Sequence, residues 1–158
     1  MKNNRWLVYI LFGLTFGVID FYYQVLVQKI TSDILLASLV LVIWLVVALP
    51  VAIYEAKVTG SAWRAALASA VTWVVAVISY YLFWIIKLVF IGEPSRPEMH
   101  ITNRGDPYFS VNIKNFLQYD VLGGIGEWIL VAIIGGIVVG YLTGFIFLKT
   151  RSLKLNAE

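Results

Sequence analysis

The chain has 158 residues, enough for one domain, of which 61% are hydrophobic and only 13% charged, with a net charge of +3 and no cysteine; soluble domains run at roughly 45–50% and about 25%. A water-soluble fold of this size cannot hide so much apolar surface, so lipid is the expected solvent for most of it. The small net charge, with basic residues gathered in the tails and at helix ends, excludes a nucleic-acid footprint, and the lack of cysteine excludes disulfides, thiol catalysis and cysteine-ligated metal centres.

Lys2 to Arg5 followed by an apolar run has the outline of a signal peptide. The run is long, however, and no small-x-small cleavage site follows it, so a retained anchor is expected. A membrane helix needs about 20 mostly apolar residues, because each backbone amide must be satisfied within its own segment. Four stretches qualify: 6–27, 34–54, 65–86 and 128–148. Asp20 is the only charge inside them. The fold predicted is therefore all-α, a single polytopic four-helix bundle over residues 1–158.

Pro50 is expected to kink the second span near its end. The third apolar stretch, 61–91, exceeds what a bilayer requires, so it tilts or buries its ends among headgroups. Short connections, 28–33 and 55–64, make the first three helices antiparallel neighbours. The connection 92–123 is different. It carries Pro94, Pro97, Pro107, glycines and acids, and is expected as a long extracytoplasmic loop. Its last part, 113–122, reads either as an amphipathic helix on the membrane surface or as coil.

Orientation follows the distribution of lysine and arginine. Lys2, Arg5, Lys57, Arg64, Lys149, Arg151 and Lys154 crowd one side. Lys29, Lys87, Arg96, Arg104 and Lys114 spread over a much longer length on the other. Both termini are expected in the cytoplasm of a multi-pass cell-membrane protein. Trp6, Tyr54, Trp63, Trp84 and Trp128, near the span ends, are expected in interfacial belts.

Gly13, Gly17, Asp20 and Gln24 form one narrow stripe of the first helix at 100° per residue. Ala65, Ser69, Thr72, Ala76, Ser79, Phe83 and Lys87 do so on the third, and Gly136, Gly140 and Gly144 recur every four residues on the fourth. Such stripes let helix backbones approach in lipid. They leave open whether the partner is another helix of the chain or another subunit.

Asp20 lies about 21 Å into the first span at ~1.5 Å per residue, a little past the midplane of a roughly 30 Å core. A carboxylate there costs about 2.5–3.5 kcal/mol on insertion scales, so it should face the bundle or a cavity, be protonated, or be paired. Depth matching places Ser79 or Tyr80 as its hydroxyl partner, with Gln24 and Thr72 nearby. The group is then either a proton, cation or substrate site, or a hydrogen-bonded acid that specifies packing. Lys87 and Glu127 both fall at the outer interface, where they pair or snorkel separately. Glu55 reads as an interfacial cap beside Lys57. His100, the one histidine, lies among Glu98, Asn103, Arg104 and Asp106 and reads as part of a solvated loop rather than a metal site. No nucleophile elbow, zinc-protease motif or phosphate-binding loop is present. Neither catalysis nor a cofactor or metal is expected.

Two classes of function fit. Four helices, an acid midway along the first and a glycine repeat in the last resemble the layout of the small multidrug-resistance exporters. The chain departs from them in its length and long outer loop, and their motifs do not match it residue by residue. A transporter built on so slender a chain implies a homo-oligomer, with the face of Gly136, Gly140 and Gly144 as its seam. The reading favoured by sequence is instead a non-enzymatic accessory or interaction subunit of a membrane complex, in contact with lipid and other subunits. Tyr108, Phe109, Phe116 and Tyr119 of the outer loop would be its docking surface.

Overall fold

The computed structural model describes residues 4–27, 29–91, 105 and 107–155, and every element among them is helical. In chain order these are α1 (Asn4–Val27), α2 (Asp33–Thr59), α3 (Ala62–Ile85), α4 (Phe109–Asn115) and α5 (Gly124–Leu155). A π-helical segment, Ile86–Ile91, prolongs α3, and a second, Phe116–Gly123, joins α4 to α5 without a break. The spans Asn4–Val27, Asp33–Thr59, Ala62–Ile91 and Phe109–Leu153 are long and apolar enough to cross a membrane, which is compatible with a multi-pass membrane protein. His100, Glu98, Asn103, Arg104, Asp106, Arg96 and Lys2 lie outside the described residues.

Local chemistry sets the helix ends. Asp33 occupies the first turn of α2 and Lys57 its last, each on the side the helix dipole favours. Gly60 then takes a left-handed conformation, φ 66°, and its amide returns to the Ala56 carbonyl, the turn that ends many helices. One residue later Ser61 accepts the Arg64 amide at 3.4 Å and starts α3. The second helix therefore runs past the expected end at 54. It passes through Pro50, and the Ser69 hydroxyl donates to the Ala48 carbonyl of this stretch at 3.1 Å.

Within the expected loop 92–123, residues 109–123 are helical and run on into α5, the helical of the two readings for 113–122. Phe116 and Val121, five apart, are both buried. A π-helix bonds i to i+5 and brings that spacing onto one face, which an α-helical reading of the pattern does not.

The long helices alternate in direction around α3, which packs on α1, α2 and α5. At one end Ala52 and Ala56 of α2 meet Ala65 of α3, with Phe147 and Leu148 of α5 packed against them. Both glycine stripes face α3. A methyl group on Gly13 would sit 2.6 Å from the Thr72 carbonyl oxygen. On Gly136 it would lie 2.6 Å from the Ala70 Cα, and on Gly140 2.8 Å from the Ala66 Cα. On Gly144 it would lie 2.8 Å from the Ala65 Cβ. The face of Gly136, Gly140 and Gly144 is thus occupied by α3 within the chain. The expected α3 stripe divides: Thr72, Ala76 and Ser79 meet α1, Ser69 meets α2 and α5, and Phe83 meets Phe21 edge-on and Tyr22 at a tilt.

Candidate functional site

Beyond the glycine crossings lies a cavity of about 160 Å³. All four rods wall it. Asp20 and Gln24 come from α1, Val40 and Trp44 from α2, Val77, Tyr80, Tyr81 and Trp84 from α3, and Trp128 from α5. Asp20 is 2% exposed. Gln24, one turn on, donates its amide to the Asp20 Oδ1 at 3.3 Å, an i,i+4 pair on one helix face.

The aromatic walls are held by one another. Trp44 stacks parallel to Trp128 across α2 and α5, with centroids 6.5 Å apart, and leans on Trp73 at 5.2 Å and Phe16 at 5.9 Å. Tyr80, Tyr81 and Trp84 contact one another on α3, and Trp84 meets Phe116 edge-on at 5.2 Å. The π-helical segment thereby buttresses the cavity. Gly124 admits the Tyr81 hydroxyl: a Cβ at Gly124 would lie 2.3 Å from it.

Of the residues singled out around Asp20, the structure brings Gln24 and Tyr80 to the same cavity. Ser79 and Thr72 send their hydroxyls elsewhere. Ser79 Oγ donates to the Leu14 carbonyl at 2.7 Å, and Thr72 Oγ1 to the Ala68 carbonyl of its own helix at 2.8 Å. Both hydroxyls lie close to backbone carbonyls that accept them, which removes them as donors to the carboxyl.

Trp84 and Trp128 were expected at the interface. Trp84 is buried and both line the cavity, whereas Trp6, Tyr54 and Trp63 are exposed. Trp44 and Tyr81 escaped the sequence reading altogether, although a tryptophan at the middle of an otherwise aliphatic span is a signal.

Glu55 is also reassigned. It is 2% exposed, forms an ion pair with Arg5 at 3.1 Å and accepts the Tyr9 hydroxyl at 2.5 Å. This cluster ties the start of α1 to the end of α2, so Glu55 is a buried cross-helix partner and no surface cap. At the opposite end Glu127 is exposed, and no ion pair joins it to Lys87 among the described residues.

Chemically, the cavity offers one carboxyl, an amide and two phenols within a frame of aromatic faces. Indole and phenol faces carry negative quadrupole potential and attract cations, and the carboxyl adds a full charge. Among the described residues no three histidine, aspartate or glutamate side chains gather as ligands of a metal. No protein-family model, curated protein or solved structure matches the chain.

Proposed function

We propose that this chain is a multi-pass integral membrane protein, both termini cytoplasmic, that binds and passes a small cation through the cavity at Asp20. The reading is a small non-enzymatic transporter. The observation that carries it is a deeply buried carboxyl lining a cavity whose other lining residues include three tryptophans and two tyrosines. A charge within a bilayer is costly unless paired, and a bound cation neutralises it while the ring faces replace the cation's lost water. The basic end made by Arg5, Lys57, Arg64 and Lys149 supports the orientation.

Reconstitution tests this. Liposomes holding the wild-type protein take up radiolabelled tetramethylammonium faster than empty ones. The Asp20→Asn variant, equally stable, falls to the empty-liposome rate. Uptake unchanged by Asp20→Asn sinks the reading.

The accessory-subunit reading is favoured by one surface. On the stretch 108–123, Tyr108, Val111, Tyr119 and Leu122 are all more than half exposed, an arrangement suited to a second membrane protein. Phe116 is excluded from it, being buried against Trp84. A subunit tolerates Asp20→Asn but loses its co-purifying partner when Tyr108 and Tyr119 are both changed to serine.

A further inference from the structure

Gly144 lets α5 lie directly on the start of α3, where a methyl group in its place would come within 3.2 Å of the Ala62 Cα. With the helices this close, the Trp63 indole is turned outward, 64% exposed, and lies across Tyr141 of α5 with ring centroids 5.1 Å apart. Between that indole and Ile137, Val138, Tyr141 and Leu142 lies a groove of about 280 Å³ whose wall is entirely apolar. It shares no residue with the Asp20 cavity. A cavity of about 150 Å³ takes the six carbons of benzene, so this one has room for roughly ten methylenes.

A charge stands at one end of the groove. Val138, Leu142, Phe145 and Lys149 follow one another at spacings of four, three and four, a single stripe of α5. The three apolar members are about half exposed, and Lys149 is exposed. Lys149 stands ~10 Å beyond Leu142 along the helix axis, past the level at which α3 begins. Among the described residues no ion pair involves it, and Glu55 near the same end is engaged by Arg5.

We infer that this groove holds one acyl chain of an anionic phospholipid, with the lipid phosphate against the Lys149 ammonium. The site is independent of Asp20. It rests on the membrane-spanning reading alone, whose failure would show as a chain that stays monodisperse without detergent. The apolar trough takes the chain, the Trp63 indole suits the headgroup level, and the gap between Leu142 and Lys149 leaves room for the glycerol ester. A zwitterionic lipid fills the trough equally well but brings its own cation to the phosphate, so Lys149 attracts it less. A second copy of the chain is the poorer occupant. A twofold contact applies the same patch to itself and, about the membrane normal, would set Lys149 against its twin, where like charges repel.

Native mass spectrometry of the purified, delipidated full-length protein reads this, with dioleoyl phosphatidylglycerol or dioleoyl phosphatidylcholine added to the detergent. The two lipids share their chains and differ in headgroup charge. The wild type should retain one phosphatidylglycerol per chain and bind it roughly fivefold more tightly than phosphatidylcholine, the factor that one basic side chain at a lipid surface supplies. Lys149→Gln should equalise the two lipids. Arg151→Gln, 200° around the helix from Lys149, should leave the preference intact, and Trp63→Ala should weaken both lipids alike. All three side chains are exposed, so the variants should fold; if Trp63→Ala does not, the lysine and arginine variants decide. Equal wild-type affinities overturn the inference, as does a preference that survives Lys149→Gln or falls as far in Arg151→Gln. Lipid binding unchanged in Trp63→Ala also overturns it. A dimer that lipid does not displace and that Trp63→Ala dissociates gives the groove to a second copy and overturns it as well.

Discussion

Gly17 lies where α1 crosses α3, and replacing it by alanine tests the packing that positions Asp20 one turn away. The added methyl would sit 2.3 Å from the Ala76 carbonyl oxygen, 2.6 Å from Ser79 Cβ and 2.8 Å from the Tyr80 amide nitrogen. Two of these are backbone atoms and cannot rotate aside. Since carbon contacts settle near ~3.5–4.0 Å, α1 must lift by ~1 Å or more. Overpacking of that kind costs about 1–3 kcal/mol. Lifting also stretches the 2.7 Å bond from Ser79 to the Leu14 carbonyl, for about 0.5–1.5 kcal/mol more. At roughly 2–4 °C per kcal/mol for a chain of this length, the thermal midpoint in detergent should fall by about 5–15 °C. Gly126→Ala is the control, because no atom lies within 4 Å of a methyl group there. It should melt at or slightly above wild type, helped by the better helix propensity of alanine. Midpoints read by loss of the monodisperse chromatographic peak decide it. A Gly17→Ala protein as stable as wild type, or a Gly126→Ala protein as unstable, refutes the reasoning.

Arg5→Ala removes the cation from Glu55, leaving a 2% exposed carboxyl with Tyr9 as its remaining side-chain partner across the helices. Breaking a buried pair costs about 3–5 kcal/mol, and the low end is expected because Arg5 keeps some solvent contact. Arg5→Leu combined with Glu55→Leu should recover most of that loss in the same melting assay, whereas additive losses would contradict the pairing. Gly60→Ala places a Cβ at φ 66° with no atom within 4 Å. The cost is therefore backbone strain alone, about 1–2 kcal/mol, seen as a fall of a few degrees. No fall would mean that the turn relaxes. Gly140→Leu, which drives a bulky side chain into the Ala66 and Ser69 positions of α3, should abolish folded protein outright. Recovery of well-folded Gly140→Leu chains that lack only a partner would contradict the internal packing.

The four apolar runs were legible because lipid demands length and uniformity, a one-dimensional property. Asp20 was legible for the same reason, as the lone charge in such a run, and Gln24 followed from helical spacing. What the sequence hid was direction and distance. Tryptophan suits both an interface and a cavity, so Trp84 and Trp128 near the span ends read as belt residues until the neighbouring helices placed Trp44 and Phe116 against them. Glu55 seemed a companion of Lys57, yet two residues along a helix is 200° around it, and Arg5 is far away in the chain. Ser79 shares Asp20's depth, but depth fixes height and not which acceptor a hydroxyl meets. The helix over 109–123 was half legible, since 113–122 carried an amphipathic pattern; its continuity with the fourth span was obscured by the prolines before it at 94, 97 and 107 and by the five-residue spacing of Phe116 and Val121, which matches no α-helical period.

The account turns on a cation held by Asp20 in the aromatic cavity between the four long helices. Titrating propyltrimethylammonium calorimetrically into the purified protein measures this most directly, since that probe needs only the carboxyl and the rings. One ligand per chain, with the heat lost in Asp20→Asn while its melting midpoint is kept, is the predicted result. Saturable binding that persists without the Asp20 carboxylate, or no binding to the wild type, would contradict it.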